Sequence, residues 1–218
     1  MMRHIFLTLF LLCSATIVCA QGHFEQDIEA FRQADAHQGV TTGGILFVGS
    51  STFTMWKDVR TCLPDYPITN RGFGGSSMRD VLYYFESIVT PHKPTQIIVY
   101  EGDNDLCNRF TSVTDFMDNV RCFVRLAQIR FPEVDICIVS IKPSPARKGY
   151  YTNYMEANRQ LQQFCTTTRG VRFIDLWPLM VDAKGEVRDK DYFLSDSLHM
   201  TPKGYALWTQ AIKPYLHK

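Results

Sequence analysis

The chain has 218 residues, 23 of them Lys or Arg and 22 Asp or Glu, for a formal net charge of +1 with His neutral. No block of positive charge stands out, which argues against nucleic acid as a partner, because phosphate binding needs concentrated cations. The length suits one domain with a full hydrophobic core.

Met1-Met2-Arg3-His4 opens the chain, an apolar run from Ile5 to Leu12 follows, and Val18-Cys19-Ala20 closes the segment. A basic start, a short apolar stretch and a small final residue predict a signal peptide over residues 1–20, cleaved before Gln21. The run is too short and interrupted for a membrane span. Cys19 allows a lipoprotein alternative, but Val18 is bulkier than such sites prefer, so secretion or periplasmic export of an unlipidated chain is the expectation. Residues 21–218 then form one domain with no integral membrane span, and their charges balance once Arg3 is gone. Five cysteines remain there: Cys62, Cys107, Cys122, Cys137 and Cys165. An odd number cannot all pair within one chain, and the spacing shows no metal pattern. One or two disulfides stay open in an oxidising compartment, with Cys137 read as a buried thiol.

Phe24 to His37 reads as an amphipathic helix. Ile45-Leu46-Phe47-Val48 is a continuous apolar run of the buried-strand type, followed by Gly49-Ser50-Ser51 and a helical segment through Trp56. Pro67 to Asn70 is a second strand, Arg71 to Ser76 a glycine-rich loop, and Met78 to Val89 a helix stopped by Pro91. Gln96 to Tyr100 is a third strand, ending at Glu101-Gly102-Asp103-Asn104-Asp105. A long helix over Val113 to Arg130, capped by Ser112 or Thr111, leads to a fourth strand over Asp135 to Ile141. Tyr151 to Thr168 is helical, Val171 to Leu176 is a fifth strand, and Pro202 opens a last helix reaching about Tyr215. Strands alternating with helices predict a parallel sheet covered on both faces, with ligands at the carboxyl ends of the strands. The loops at Gly49, Gly72 and Gly102 each follow a strand.

A serine at the turn after the first strand stands at the sheet edge, with its N–H at a helix N-terminus that favours negative charge. Ser50 and Ser51 both qualify, and either serves equally as an ordinary helix cap. Asp196-Ser197-Leu198-His199 puts a carboxylate and an imidazole three residues apart, on one side of a turn. The carboxylate can fix the ring's tautomer while the other nitrogen takes a serine proton, although a plain surface pair has the same spacing. Asn70 to Ser76 offers backbone N–H groups for an oxyanion, or simply a tight turn, and matches neither a P-loop nor a dinucleotide fingerprint. Asn104 is a second oxyanion donor by its side chain, or a turn asparagine. Asp103 and Asp105 lack a histidine neighbour and make a poor metal site. His23, His37, His92 and His217 read as surface residues, as do Arg71, Arg79 and Arg147. Trp56 and Trp177 could line a sugar platform, whereas Trp208, within a helix, reads as core.

These four blocks, in this order, resemble the SGNH hydrolases, also called the GDSL esterase–lipase family. Phe47-Val48-Gly49-Ser50-Ser51 is similar to the nucleophile block, Asn70 to Gly75 to the glycine block, Gly102-Asp103-Asn104-Asp105 to the block written GxND, and Asp196 to His199 to the DxxH block, continued by Thr201-Pro202-Lys203-Gly204-Tyr205. The resemblance spans roughly residues 44 to 215. It implies a three-layer α/β/α, flavodoxin-like SGNH hydrolase fold with a five-stranded parallel sheet. It also implies Ser51 as nucleophile, His199 as base, Asp196 as its orienter, and Ser51, Gly75 and Asn104 as oxyanion donors, with no cofactor and no metal. The substrate implied is a small-molecule or carbohydrate ester, with short acyl groups favoured and lysophospholipids or thioesters as the alternative. Ser50 departs from the pattern, since the family usually carries aspartate there. That departure keeps a non-catalytic binding module open, while a flavodoxin-like nucleotide binder would leave Asp196 and His199 unexplained.

Overall fold

The computed structural model describes residues 23–218. The expected signal peptide and its cleavage point lie outside the described residues. In chain order the elements are α1 (Glu25–Gln38), β1 (Ile45–Gly49), α2 (Ser51–Thr54), α3 (Val59–Cys62), β2 (Ile68–Asn70), α4 (Met78–Tyr83), α5 (Phe85–Ile88) and β3 (Gln96–Tyr100). They continue with α6 (Val113–Arg130), β4 (Asp135–Val139), α7 (Tyr151–Thr167), β5 (Val171–Ile174), α8 (Trp177–Met180) and α9 (Pro202–Ile212).

The five strands pair in the order β2-β1-β3-β4-β5, all parallel. Strand side chains alternate between faces, and the apolar runs divide accordingly. Leu46, Val48, Ile97, Val99, Ile136 and Ile138 face α1, α4, α5, α6 and α7. Ile45, Phe47, Ile98, Tyr100, Cys137 and Val139 face α2, α3, α8 and α9. The layers are therefore α/β/α, as the sequence implied. The order of winding reverses between β1 and β3, since the chain steps outward from β1 to β2 and then from β3 to β4, and their carboxyl ends flank the crevice where such sheets bind ligands.

Local sequence accounts for some boundaries. Ser112 accepts from the Asp115 N–H and closes a capping box at α6, and Ser77 with Asp80 does the same at α4. Several expectations change. The helix expected over Met78 to Val89 breaks at Tyr84, whose backbone (φ −94°, ψ 9°) leaves the helical region. Its ring meets Phe73 edge-on at 6.0 Å, a tertiary contact that local pattern does not reveal. All five cysteines are free thiols, so no disulfide forms among the described residues. Burial pushes the Cys137 thiol up to about 12, which keeps it protonated. Trp56, offered as a sugar platform, is fully buried and stacks on Tyr205 at 5.1 Å, and Trp208 is core as expected. Trp177 is half-buried, edge-on to Tyr151.

His92 and Arg71 also move from surface to interior. His92 is 1% exposed. Its Nδ1 donates to the Thr41 carbonyl (3.0 Å) and its Nε2 accepts from Arg71 Nε (3.0 Å). A guanidinium only donates, so the ring must be the neutral Nδ1–H tautomer; burial lowers the His92 pKa in the same sense. Arg71 also pairs with Asp35 of α1 and covers the Phe31 ring at 5.0 Å. The arginine that opens the glycine loop is thus fixed from three sides.

Candidate active site

Gly49 ends β1 against β3 so closely that a Cβ there would lie 2.1 Å from the Tyr100 carbonyl oxygen. Only glycine permits that approach. Ser50 follows with extended backbone, donates its N–H to the Tyr100 carbonyl (3.3 Å), and is fully buried. Its hydroxyl makes neither a cap nor any other bond among the described residues. Ser51 is the first residue of α2, and its hydroxyl does not cap either; it turns to His199. Phe53 and Trp56 anchor this short helix in the aromatic layer of Phe47, Tyr100 and Trp208, with Phe53 5.0 Å from Phe47 and Trp208 5.0 Å from Tyr100. Tyr205 of α9 donates its hydroxyl to the Thr52 carbonyl (2.9 Å). Position, not propensity, makes this four-residue helix stable.

The structure brings Ser51, His199 and Asp196 together. His199 Nε2 lies 3.1 Å from Ser51 Oγ, and His199 Nδ1 lies 2.6 Å from Asp196 Oδ2. Asp196 Oδ1 accepts from the backbone N–H groups of Leu198 (2.9 Å) and His199 (3.0 Å). The bond to His199, then those two N–H groups, hold the Asp196 carboxyl at about 2, so it is ionised at any working pH. The sequence spacing suggested one helical turn. The actual device is an Asx-type turn in which Ser197 adopts a left-handed φ of 57°. The arrangement can move a proton from Ser51 to His199 while Asp196 holds the tautomer with Nδ1 protonated.

Donors for a developing negative charge converge on the same edge. The N–H groups of Ser51, Gly74 and Gly75 have no acceptor among the described residues. Gly75, the residue singled out in the sequence, has φ +85°. Gly74 of the same loop also lies beside Ser51, since a Cβ there would sit 3.9 Å from the Ser51 Cβ. Sequence order alone does not register that neighbour. Asn104 Nδ2 donates to the Ser76 carbonyl (3.0 Å), leaving its second N–H unused.

The β3 loop fastens these parts. Asp103 and Asp105, weighed as metal ligands, hold other partners. Asp103 Oδ2 accepts from Lys142 Nζ (2.8 Å) and Tyr100 Oη (3.1 Å), with Lys142 also donating to Thr52 Oγ1 (3.1 Å) beside the nucleophile. Burial alone would raise the Asp103 pKa, but the Lys142 ammonium wins and holds it below the ordinary value. Asp105 accepts from the N–H groups of Met78 and Gly102 (3.0 Å each), and burial pushes it up to about 7. Arg147 is half-buried rather than solvated and donates to the Asp103 carbonyl (3.1 Å) and Asn104 Oδ1 (3.3 Å). The sequence singled out neither Lys142 nor Glu101, although each is a charged residue at the carboxyl end of an apolar run, the signal that could have found them.

Glu101 is fully buried, and burial, then the nearby Asp105, push its pKa well above the ordinary range. Geometry says the same. Ser76 Oγ lies 2.9 Å from the Phe73 carbonyl and 2.6 Å from Glu101 Oε1, yet a hydroxyl has one proton. A protonated Glu101 donating to Ser76 satisfies both contacts. Glu101→Gln keeps a donor there and should retain near-wild-type activity, whereas Glu101→Ala should cost about 2 kcal/mol of stability. A raised folded pKa stabilises fully below the unfolded value and is lost as pH rises through the folded one. Melting curves against pH should therefore show a decline that begins as pH rises past the ordinary glutamate range and that Glu101→Gln flattens; an unchanged decline would refute the protonated assignment.

From Asn104 an open groove of about 960 Å³ runs outward. Its lining includes Arg79, Asn108 and Asp118, with the exposed rings of Tyr83 (64%) and Phe110 (81%). Among the described residues there is no group of three or more His, Cys, Asp or Glu able to hold a metal ion, and no helix long and apolar enough to cross a membrane.

Residues 28–207 match the GDSL-like Lipase/Acylhydrolase family. The isoamyl acetate-hydrolyzing esterase 1 homolog of Bos taurus is 25% identical over 187 residues, covering 73% of this chain and 71% of that protein. A Streptococcus pneumonia structure named for platelet activating factor superposes with a TM-score of 0.78 at 21% identity, covering 88% of this chain and 92% of the other. A GDSL-like lipase from Bacteroides thetaiotaomicron gives 0.73 at 16%, covering 86% and 97%. At these identities the structural likenesses speak for the fold alone.

Proposed function

We propose, since the chain belongs to the GDSL-like lipase/acylhydrolase family and is a carboxylic ester hydrolase, that it cleaves short acyl groups, acetyl above all, from polar alcohols through Ser51, His199 and Asp196. The observation that carries this reading is the continuous relay from Ser51 Oγ to His199 Nε2 (3.1 Å) and from His199 Nδ1 to Asp196 (2.6 Å). His199 takes the Ser51 proton as Oγ attacks the ester carbonyl. The N–H groups of Ser51 and Gly75 and the Asn104 amide hold the oxyanion. His199 returns the proton to the departing alcohol, leaving an acyl-serine. Water then attacks with His199 again as base, releasing the acid and restoring Ser51. No step needs a cofactor. The N-terminal segment from Met1 to Ala20 supports export as the setting of this reaction.

The acyl preference rests on the groove. Burying a methylene in an apolar slot gains about 0.8 kcal/mol, roughly fourfold in affinity. In the groove Arg79, Asp80, Asp115 and Asp118 interrupt the rings of Tyr83 and Phe110, so a long acyl chain meets no continuous apolar slot, whereas a polar alcohol finds partners. The Bos taurus relative's name, isoamyl acetate-hydrolyzing, points to the same acyl group. In a p-nitrophenyl ester series, kcat/KM should be highest for acetate or butyrate and fall by octanoate. A steady rise of about fourfold per methylene through octanoate would overturn the preference.

A further inference from the structure

We propose that Arg147 is the positioning residue for the oxyanion amide of Asn104, an inference that rests on the reading of Asn104 as an oxyanion donor. A side-chain amide can present either its oxygen or its NH2 to the site, and only the NH2 stabilises an oxyanion. Two contacts on opposite ends of Asn104 choose. Arg147 Nη2 lies 3.3 Å from one end, and a guanidinium has donors only, so that end must be the oxygen. The Ser76 carbonyl lies 3.0 Å from the other end and only accepts, so that end must be the NH2. One amide proton is then spent on Ser76, and the other is left for substrate.

The guanidinium is itself held in place. Its Nη1 donates to the Asp103 carbonyl (3.1 Å), which also accepts from the Tyr154 hydroxyl (2.8 Å), so the two arms of the fork grip neighbouring oxygens of one loop. The same turn reaches the acid–base side of the site, where the Ala146 N–H donates to the Ser197 carbonyl (3.0 Å) between Asp196 and His199. The Pro145–Tyr150 turn thus clasps the oxyanion loop to the Asp–His turn. A charged donor on the amide oxygen also polarises the amide and strengthens its N–H groups.

The test is a double-mutant cycle on p-nitrophenyl acetate, reading kcat and KM separately, with melting curves to confirm folding. Arg147→Ala should lower kcat about ten- to hundredfold, less than the outright loss of an oxyanion donor, and leave KM within about twofold. Asn104→Ala should lower kcat about hundred- to thousandfold. Adding Arg147→Ala to Asn104→Ala should cost nothing further, because Arg147 acts through that amide. Arg147→Lys, a point charge that cannot span both oxygens, should recover part of kcat, and added guanidinium ion should partly rescue Arg147→Ala. Equal losses from Arg147→Ala in both backgrounds would mean a general structural role and overturn the inference, as would a change in KM alone or no loss. If Asn104→Ala itself leaves kcat intact, the donor reading of Asn104 fails and this inference with it, while labelling of Ser51 still tests the nucleophile independently.

Discussion

Ser51→Ala is expected to lower kcat/KM on acetyl esters by about 10⁵- to 10⁶-fold, the scale lost when a serine hydrolase loses its nucleophile. The remainder should still exceed the uncatalysed rate, because the backbone donors of Ser51, Gly74 and Gly75 and the Asn104 amide stay in place. Stability should change by less than about 1 kcal/mol. Among the described residues Ser51 Oγ has His199 Nε2 as its hydrogen-bond partner, and that ring is a quarter exposed and can bond to water instead. The helix that carries Ser51 is held by Phe53, Trp56 and the Tyr205 hydroxyl, none of which the substitution touches. Steady-state kinetics together with a melting curve separates this outcome from unfolding; activity within about tenfold of wild type would refute Ser51 as nucleophile.

Asp196→Asn is expected to cost about 10⁴-fold in kcat, through the wrong tautomer rather than a lost contact. Asp196 uses one oxygen for the Leu198 and His199 N–H groups and the other for His199 Nδ1. Asparagine has a single oxygen. If that oxygen keeps the two backbone bonds, its NH2 faces Nδ1 and makes it an acceptor. The ring proton then sits on Nε2, facing Ser51, where a base is needed. The turn should survive, so the variant should melt near the wild type. Since Asp196 is held at about 2, its protonation contributes no limb to the pH–rate profile near neutrality. Asp196→Asn with kcat within about tenfold of wild type would show that the pair is structural.

The site was legible in the sequence because each part is local. A glycine, a serine pair, a glycine loop and an asparagine each follow an apolar run, and a parallel sheet delivers strand ends to one edge, while the DxxH turn, well past β5, shows itself by its own spacing. The sheet itself was legible because buried strands read as unbroken runs of Ile, Val, Leu and Phe. The supporting contacts were not. Asp103 and Lys142 are 39 residues apart, Arg71 and Asp35 are 36, and Arg147 and Asn104 are 43. No periodicity links such pairs, and a charged residue read singly defaults to the surface. His92 was missed for the same reason: its neutrality follows from Arg71 and Thr41, which only the fold brings to it. Ser50 is the opposite case, a visible departure with a modest structural consequence. Its side chain is buried, while Lys142 and Tyr205 brace the adjoining Thr52.

The nucleophile assignment is tested most directly by covalent labelling with a fluorophosphonate, read by intact mass and peptide mapping. The wild type should gain one phosphonyl group per chain, on Ser51, and Ser51→Ala should gain none. A phosphonyl group on Ser50 or Ser76, or equal labelling of Ser51→Ala, would contradict the assignment.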